Sequence, residues 1–176
     1  MLKSFRIAWP PLIALAVTLA GCAHTMMANP DTFSVRGDTA RLRAPQSITL
    51  KNGYSSETKM IVYQGAIWNV DMLQLTDAAI QMMSRHLAKN GIKVGAGEKT
   101  ITLRVRDVKA SFIAIPFADR VNTSLNLEAR MGDGTASTVP AVNGSPLSAQ
   151  RSIEGALLFA VTGLLNDAQF VGYVNH

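Results

Sequence analysis

The sequence contains a single cysteine and three histidines. One cysteine excludes a framework of intramolecular disulfides. The histidines, His24, His86 and His176, are far apart, and the sequence has no His-x-x-His motif and no cysteine pair. Zinc sites usually show such pairs at short spacing. We therefore expect neither a metal site nor a cofactor.

Catalytic motifs are also missing. There is no Gly-x-Ser-x-Gly nucleophile motif, and the glycine-rich stretch 95–99 lacks the Gly-Lys-Ser/Thr ending of a phosphate loop. Glycosidic hydrolysis needs two carboxyl groups facing one cleft. The acidic candidates are Asp107, Asp119, Glu128, Asp133 and Glu154. Each is better explained as a turn, surface or helix residue, so the sequence predicts no catalytic residues and no enzyme.

Charge of one sign is not concentrated anywhere in the sequence. The chain has 17 basic and 12 acidic residues, a net charge of +5, and no run of five like charges. Nucleic-acid binding typically needs a basic cluster with aromatic side chains for stacking. Arg104 and Arg106 lie two residues apart on one predicted strand face and are interpreted as solvated surface charge. We therefore expect no nucleic-acid partner.

Only one long apolar run is present, and it lies at the N-terminus. Residues 7–20 are apolar apart from Thr18, with Pro10 and Pro11 inside the run, and they follow Lys3 and Arg6. A membrane-spanning helix needs about 20 apolar residues, so this run is too short. A positive start followed by a short apolar segment is typical of an export signal. We predict a signal peptide over residues 1–21.

The end of that run resembles the lipobox of bacterial lipoproteins. It consists of Leu19, Ala20, Gly21 and Cys22. The resemblance implies diacylation of Cys22, cleavage after Gly21 and acylation of the new amine, including palmitate-type chains. Two or more acyl chains give stable membrane attachment. Ala23 stands where aspartate would favour inner-membrane retention, so we expect the periplasmic face of the outer membrane.

The mature chain divides into two parts. Residues 22–46 contain Pro30, Gly37 and Pro45 and are interpreted as a lipidated N-terminus with a flexible tether. Residues 47–176 are enough for one periplasmic α/β domain.

Two helices and several strands are predicted in that domain. Apolar spacing and a possible cap at Thr76 predict a helix over 76–90, and a second amphipathic helix is predicted over 148–167. Strict alternation predicts strands over 100–105 and 121–131. Residues 135–142 are a weaker strand, and 143–146 are interpreted as a break. The fold class is therefore α+β, a two-layer α/β sandwich with an antiparallel sheet packed by two amphipathic helices.

Two surfaces are candidates for binding. The segment 111–120 is unusually apolar for a loop, with Phe112, Ile113, Ile115 and Phe117. It either closes over the core or docks a partner or membrane. The second candidate is the polar face of strand 121–131, where Asn122, Asn126 and Arg130 could bind a glycan or a protein; ordinary solvated sheet surface is the alternative.

The order of elements resembles YajG-type lipoproteins and other small accessory lipoproteins of the Gram-negative outer membrane. The similarity is closest over 75–106, where a helix leads through KNGIKVG into ITLRVRDV. It implies an α/β sandwich near the membrane and supplies no active-site residues. We expect a non-catalytic, lipid-anchored accessory or scaffold protein, with an envelope protein partner or a homo-oligomer. The alternatives are a glycan- or small-molecule-binding module and, third, an envelope-polymer hydrolase.

Overall fold

The computed structural model describes residues 24–26, 28–32, 34–35, 39–44, 46–57, 59–61, 68–113, 120–146 and 148–176. The strands are β1 (His24–Met26), β2 (Ile48–Asn52), β3 (Lys59–Ile61), β4 (Trp68–Asp71), β5 (Lys99–Ile113), β6 (Arg120–Met131) and β7 (Ala136–Pro146). The helices are α1 (Met72–Lys89), α2 (Ala149–Leu165) and α3 (Ala168–Asn175). The predicted α+β sandwich is confirmed.

Four strands form the main sheet in the order β2-β5-β6-β7. β5, β6 and β7 form an antiparallel meander, whereas β2 pairs with β5 in parallel. The parallel edge was not predicted; it arises because α1 lies between β2 and β5 in the chain and returns it to the same end of the sheet. β1, β4 and β3 form a separate small sheet in that order.

The core lies between one face of the main sheet and the helices. On β6 the odd-numbered side chains point inward, and Leu125, Leu127 and Ala129 are buried there. On α2, Leu157 and Val161 are fully buried against them. The alternating side chains of β6 and the regularly spaced apolar side chains of α2 therefore pack against each other in one apolar layer.

The first helix begins four residues earlier than predicted. Asp71 caps it, since its carboxylate accepts hydrogen bonds from the backbone of Leu73 at 2.9 Å and Gln74 at 3.1 Å. Thr76 is buried inside the helix, and its hydroxyl accepts a hydrogen bond from the Val105 N–H at 3.1 Å. The prediction of a cap at Thr76 was wrong because this residue bonds to β5, a contact distant in sequence.

β5 extends well beyond the predicted range 100–105. After residue 106 a bulge reverses which side chains face the core, so the alternation on which the prediction depends stops there. The register with β6 shifts between Arg106 and Lys109, and Asp107 has φ 52°, in the left-handed region. The extra residue flips the alternation, as a bulge does. Before the bulge, even-numbered residues such as Arg104 point outward; after it, Lys109 points outward and Val108 is buried.

β7 continues through the residues interpreted as a break. The Met131 N–H donates to the Thr135 carbonyl at 2.9 Å. From this starting point, the backbone N–H and C=O groups of odd-numbered β7 residues hydrogen-bond to β6, and those of even-numbered residues point to the free edge of the sheet. Pro140 and Pro146 are even-numbered, so they remove no ladder hydrogen bond. The prediction of a break over 143–146 was wrong for this reason.

An N-terminal segment, defined as residues 28–32, 34–35 and 39–44, lies against the helices. The Asn29 N–H donates to the Glu154 carboxylate of α2 at 2.9 Å, and Arg85 of α1 bonds to Asp31 at 2.8 Å. Leu42 is buried in the core. These residues belong to the region predicted as a tether, and in the structure they contact the domain. The division at residue 46 stays a prediction.

This segment explains why α2 is buried on nearly every side. Glu154 is only 1% exposed, although glutamate has an ionisable side chain that is usually found at the surface. Its carboxylate accepts from the Asn29 backbone and from Gln150 at 3.1 Å. A helix apolar all round needs cover on both faces, and here the sheet covers one side and the N-terminal segment part of the other.

Candidate functional site

The predicted signal and lipidation residues fall outside the described residues. The structure does not describe the four lipobox residues, so their roles stay predictions; they are Leu19, Ala20, Gly21 and Cys22. Within the described chain, no single helix is long and apolar enough to cross a membrane; α2 and α3 pass such a test only as a pair bent by 58°.

The described residues of the apolar segment 111–120 are Ser111–Ile113 at the end of β5 and Arg120 at the start of β6, which together form the hairpin end. Phe112 and Ile113 belong to β5 and are 46% and 42% exposed, so these two side chains do not form part of the core. Ile113 pairs with Arg120 across the strands. Ile115 and Phe117 lie outside the described residues. Whether the segment docks a partner stays a prediction.

The predicted polar face is a line along β6 and not a pocket. Asn122 and Arg130 are eight residues apart on one strand, a separation of about 26 Å at 3.3 Å per residue. Asn126 donates to the Asp107 carboxylate at 3.1 Å, and Arg130 lies 3.5 Å from the Glu128 carboxylate. The structure therefore does not bring the three residues together around one small ligand.

The outer face of the main sheet carries far more positive charge than sequence reasoning recognised. No helix of the described chain packs on this face, and the strand residues on it are set by register and alternation. Its basic residues are Lys51, Arg104, Arg106, Lys109, Arg120 and Arg130, all exposed. Its acidic residues in the described part of the chain are Asp107 and Glu128. We call this surface the basic sheet face.

Among the described residues, six basic and two acidic residues thus share one face. Sequence reasoning noticed Arg104 and Arg106 as a pair and Arg130 separately, but not the whole set, because the six residues are spread over 80 positions on three strands. Only the strand pairing brings them together, and the bulge is needed to turn Lys109 to the same side.

Glu128 lies at the centre of this face. Its carboxylate pairs with the Arg106 and Arg130 guanidinium groups, and its side chain is 15% exposed. Arg104, directly opposite on β5, donates instead to the Gly53 carbonyl at 2.8 Å and lies 5.8 Å from the centre of the Tyr54 ring. One acid therefore holds two arginines in place and leaves the face with excess positive charge.

Tyr54 borders the same face and is held rigidly. Its hydroxyl donates to the Val105 carbonyl at 2.6 Å. Partial burial raises the pKa of the phenol, while the nearby Arg106 and Arg104 act in the opposite direction. The phenol therefore stays neutral and acts as a support for the Arg104 side chain.

A shallow groove of about 420 Å³ lies on the other side of the sheet edge, between β7 and α2. Phe159 is 54% exposed at its rim. Asn143, Ser145 and Arg151 supply polar groups. Its size falls in the range of small-molecule sites, which also have a mainly apolar lining.

His86 is partly buried on α1 and hydrogen-bonds the Thr39 hydroxyl at 3.0 Å. Partial burial, with a contribution from Lys89, lowers its pKa below the usual value of 6.5. It lines a small cavity of about 70 Å³ with Arg85. A neutral histidine here joins the N-terminal segment to α1.

The acidic candidates that the structure describes do not converge on one cleft, and Asp119 lies outside the described residues. Glu154 is buried in the helix layer, whereas Asp107 and Glu128 lie on the opposite side of the sheet. Asp133 lies in the β6–β7 turn, where hydrogen bonds from Thr135 lower the pKa of its carboxyl group. Among the described residues, no group of three or more potential metal ligands is found.

Comparisons with known proteins give only distant likenesses. No protein-family model and no curated protein matches the chain. A crystal structure from Xanthomonas campestris, of the family DUF330, is similar with a TM-score of 0.44 and 13% identity, covering 87% of this chain and 94% of that one. A minor lipoprotein from Acinetobacter baumannii has a TM-score of 0.38 and 12% identity, covering 68% and 85%. At these values neither likeness assigns a family or a function.

Proposed function

We propose that this protein is a lipid-anchored accessory or scaffold protein of the cell envelope that works by binding a protein partner and not by catalysis. The observation that carries the proposal is the pairing of a lipobox-like export signal with a domain whose sheet has one open, exposed face. Contiguous apolar patches on a protein surface mark interaction sites, and the exposed Ile113 side chain adds apolar surface to this face at the hairpin end.

The arrangement suits a tethered binding domain. Cys22 is two residues before β1, which pairs with β4 just ahead of α1. The anchor therefore joins the domain next to the small sheet, which is separate from the main sheet. The open face of the main sheet is then left for partners in the periplasm. Outer-membrane placement follows from Ala23 in the lipobox resemblance.

The test compares the native chain with a version exported by a non-lipidated signal and carrying Cys22→Ser. Both are followed by metabolic palmitate labelling and by density separation of inner and outer membranes. The native chain should be labelled and found with the outer membrane, and the variant should be unlabelled and released with the periplasm. An unlabelled native chain, or equal membrane retention of both, would overturn the anchoring half of the proposal.

The partner half is tested by formaldehyde crosslinking in intact cells. Phe112→Ser/Ile113→Ser removes the exposed apolar side chains of the hairpin end, and Phe159→Ser removes one of similar exposure elsewhere. A specific adduct lost only in the hairpin variant would support docking there. Adducts of the chain with itself alone, unchanged in all variants, would contradict a separate protein partner and favour a homo-oligomer.

A ligand-binding module is the second candidate function, and the groove between β7 and α2 is the observation that favours it. Its volume of about 420 Å³ can hold a small molecule. Titration of envelope saccharide fragments, followed by NMR shifts of groove residues, tests this. Shifts confined to the groove and weakened by Arg151→Ala would support binding, and the absence of shifts would exclude those ligands.

A further inference from the structure

We infer that the basic sheet face is the docking surface for an acidic protein partner, an inference that rests on the proposed accessory function and names the chemistry of its partner. The face has six exposed basic residues and two acidic ones, and both acids are already bonded to neighbouring side chains of the face. An approaching surface therefore meets net positive charge. Potentials of opposite sign across an interface set its specificity and speed its formation.

The cations form a stripe along the strands, interrupted by one uncharged row at Ser111 and Asn122. Register places Lys51 beside Thr102, which is itself opposite Arg130. Arg104 follows in the next row of the sheet, then Arg106, Lys109 and finally Arg120 at the hairpin end. At about 6.6 Å for every two residues, these rows cover roughly 30 Å along β5. A stripe of this length matches a protein interface of ordinary size better than a single small anion.

An apolar border accompanies the stripe. The outward-facing positions of β7 carry no charge, and Val142 among them is 65% exposed. Ile113 is 42% exposed at the hairpin end of the same face. Interfaces combine apolar contact area with complementary charges around it. The face therefore has both components, on a rigid sheet where the side chains are already positioned.

The geometry favours a protein over nucleic acid, and the vesicle arm of the second test below separates a protein from a membrane surface. Single-stranded nucleic acid needs free aromatic rings for stacking, whereas the Tyr54 ring is already covered by Arg104. Strand addition at the neighbouring β7 edge is also disfavoured, because Pro140 and Pro146 remove two of its outward N–H donors.

The inference is tested first by carbodiimide crosslinking of cell envelopes, which joins a lysine amine to a carboxylate only at direct contact. Lys51 and Lys109 on the face should form bonds to Asp or Glu of another polypeptide, located by mass spectrometry. Lys51→Arg and Lys109→Arg keep the charge and should abolish only those bonds. Lys89, exposed on α1, is the internal control. Adducts from Lys89 in equal yield, or none from the face, would overturn the inference.

A second test uses the purified mature chain and a fluorescent peptide of alternating Glu and Gly. Lys109→Glu/Arg130→Glu should weaken binding at least about tenfold, since like charges now face each other. Lys89→Glu/Arg43→Glu changes the net charge equally on the helix side and should weaken it less than about twofold. Equal loss in both variants, or binding of phosphatidylglycerol vesicles through the face without peptide binding, would contradict an acidic protein partner.

The two proposals fail separately. A chain that is not lipidated would overturn the anchored accessory function, whatever the crosslinks show. A lipidated outer-membrane chain whose face lysines give no carboxylate adducts would keep the anchor and overturn the docking surface.

Discussion

Replacing Gly155 with alanine should destabilise the protein, although alanine normally favours a helix. Gly155 lies in α2 directly against Asn143 of β7, and an added Cβ would lie 2.7 Å from the Asn143 Cγ atom. The Asn143 amide donates to the backbone carbonyls of Arg151 at 3.3 Å and Ser152 at 3.1 Å. The new methyl group would displace this amide from α2.

The size of the effect follows from three contributions. Two hydrogen bonds lost from a partly buried amide cost about 2 kcal/mol. Overpacking costs about 1 kcal/mol more, and the helix preference of alanine over glycine returns about 1 kcal/mol. The free energy of unfolding should therefore fall by about 2 kcal/mol, and for a domain of this length the melting temperature should fall by about 4–8 °C.

Urea unfolding followed by Trp68 fluorescence and circular dichroism measures the change. The matched control is Gly172→Ala in α3, where an added Cβ meets nothing within 4 Å. That variant should gain up to about 1 kcal/mol. The double variant Gly155→Ala/Asn143→Ala should recover part of the loss, because the clash is gone. Stabilisation by Gly155→Ala equal to that of Gly172→Ala would refute the described packing of α2 on β7.

Three further predictions concern single elements. Thr76→Val should lower the free energy of unfolding by about 1–3 kcal/mol in urea titrations, since the buried N–H of Val105 loses its acceptor. Because the pKa of His86 is lowered in the folded chain, the unfolded chain binds more protons, and stability should fall as the pH drops through 6.5; His86→Gln should remove this part of the pH dependence. Phe112→Ser/Ile113→Ser should change stability by less than about 0.5 kcal/mol, as surface substitutions do, and a loss of several kcal/mol would place these side chains in the core.

The sequence predicts those parts of the fold that depend on local periodicity. The alternation of residues 121–131 and the spacing of residues 153–165 were sufficient for β6 and α2, because each element buries one repeating set of side chains. Ser148 caps α2 by accepting a hydrogen bond from the Arg151 N–H at 3.1 Å, in agreement with the predicted start of that helix.

The remaining features depend on contacts between distant residues. Asp71 sets the start of α1 because its carboxylate accepts a hydrogen bond from the Leu73 N–H. Thr76 does not act as the cap, because its hydroxyl bonds to β5. The bulge at Asp107 needs a left-handed backbone that aspartate adopts only occasionally. Without that bulge, Lys109 would point toward the helices, so the basic sheet face could not be predicted from charge spacing alone.

The central claim, attachment through Cys22, is tested most directly by mass spectrometry of the chain extracted from cell membranes. The account predicts that the N-terminal peptide begins at Cys22 and carries a diacylglyceryl group on sulfur and an acyl chain on the amine. An N-terminal peptide that begins elsewhere, or that begins at Cys22 with a free thiol, would contradict it.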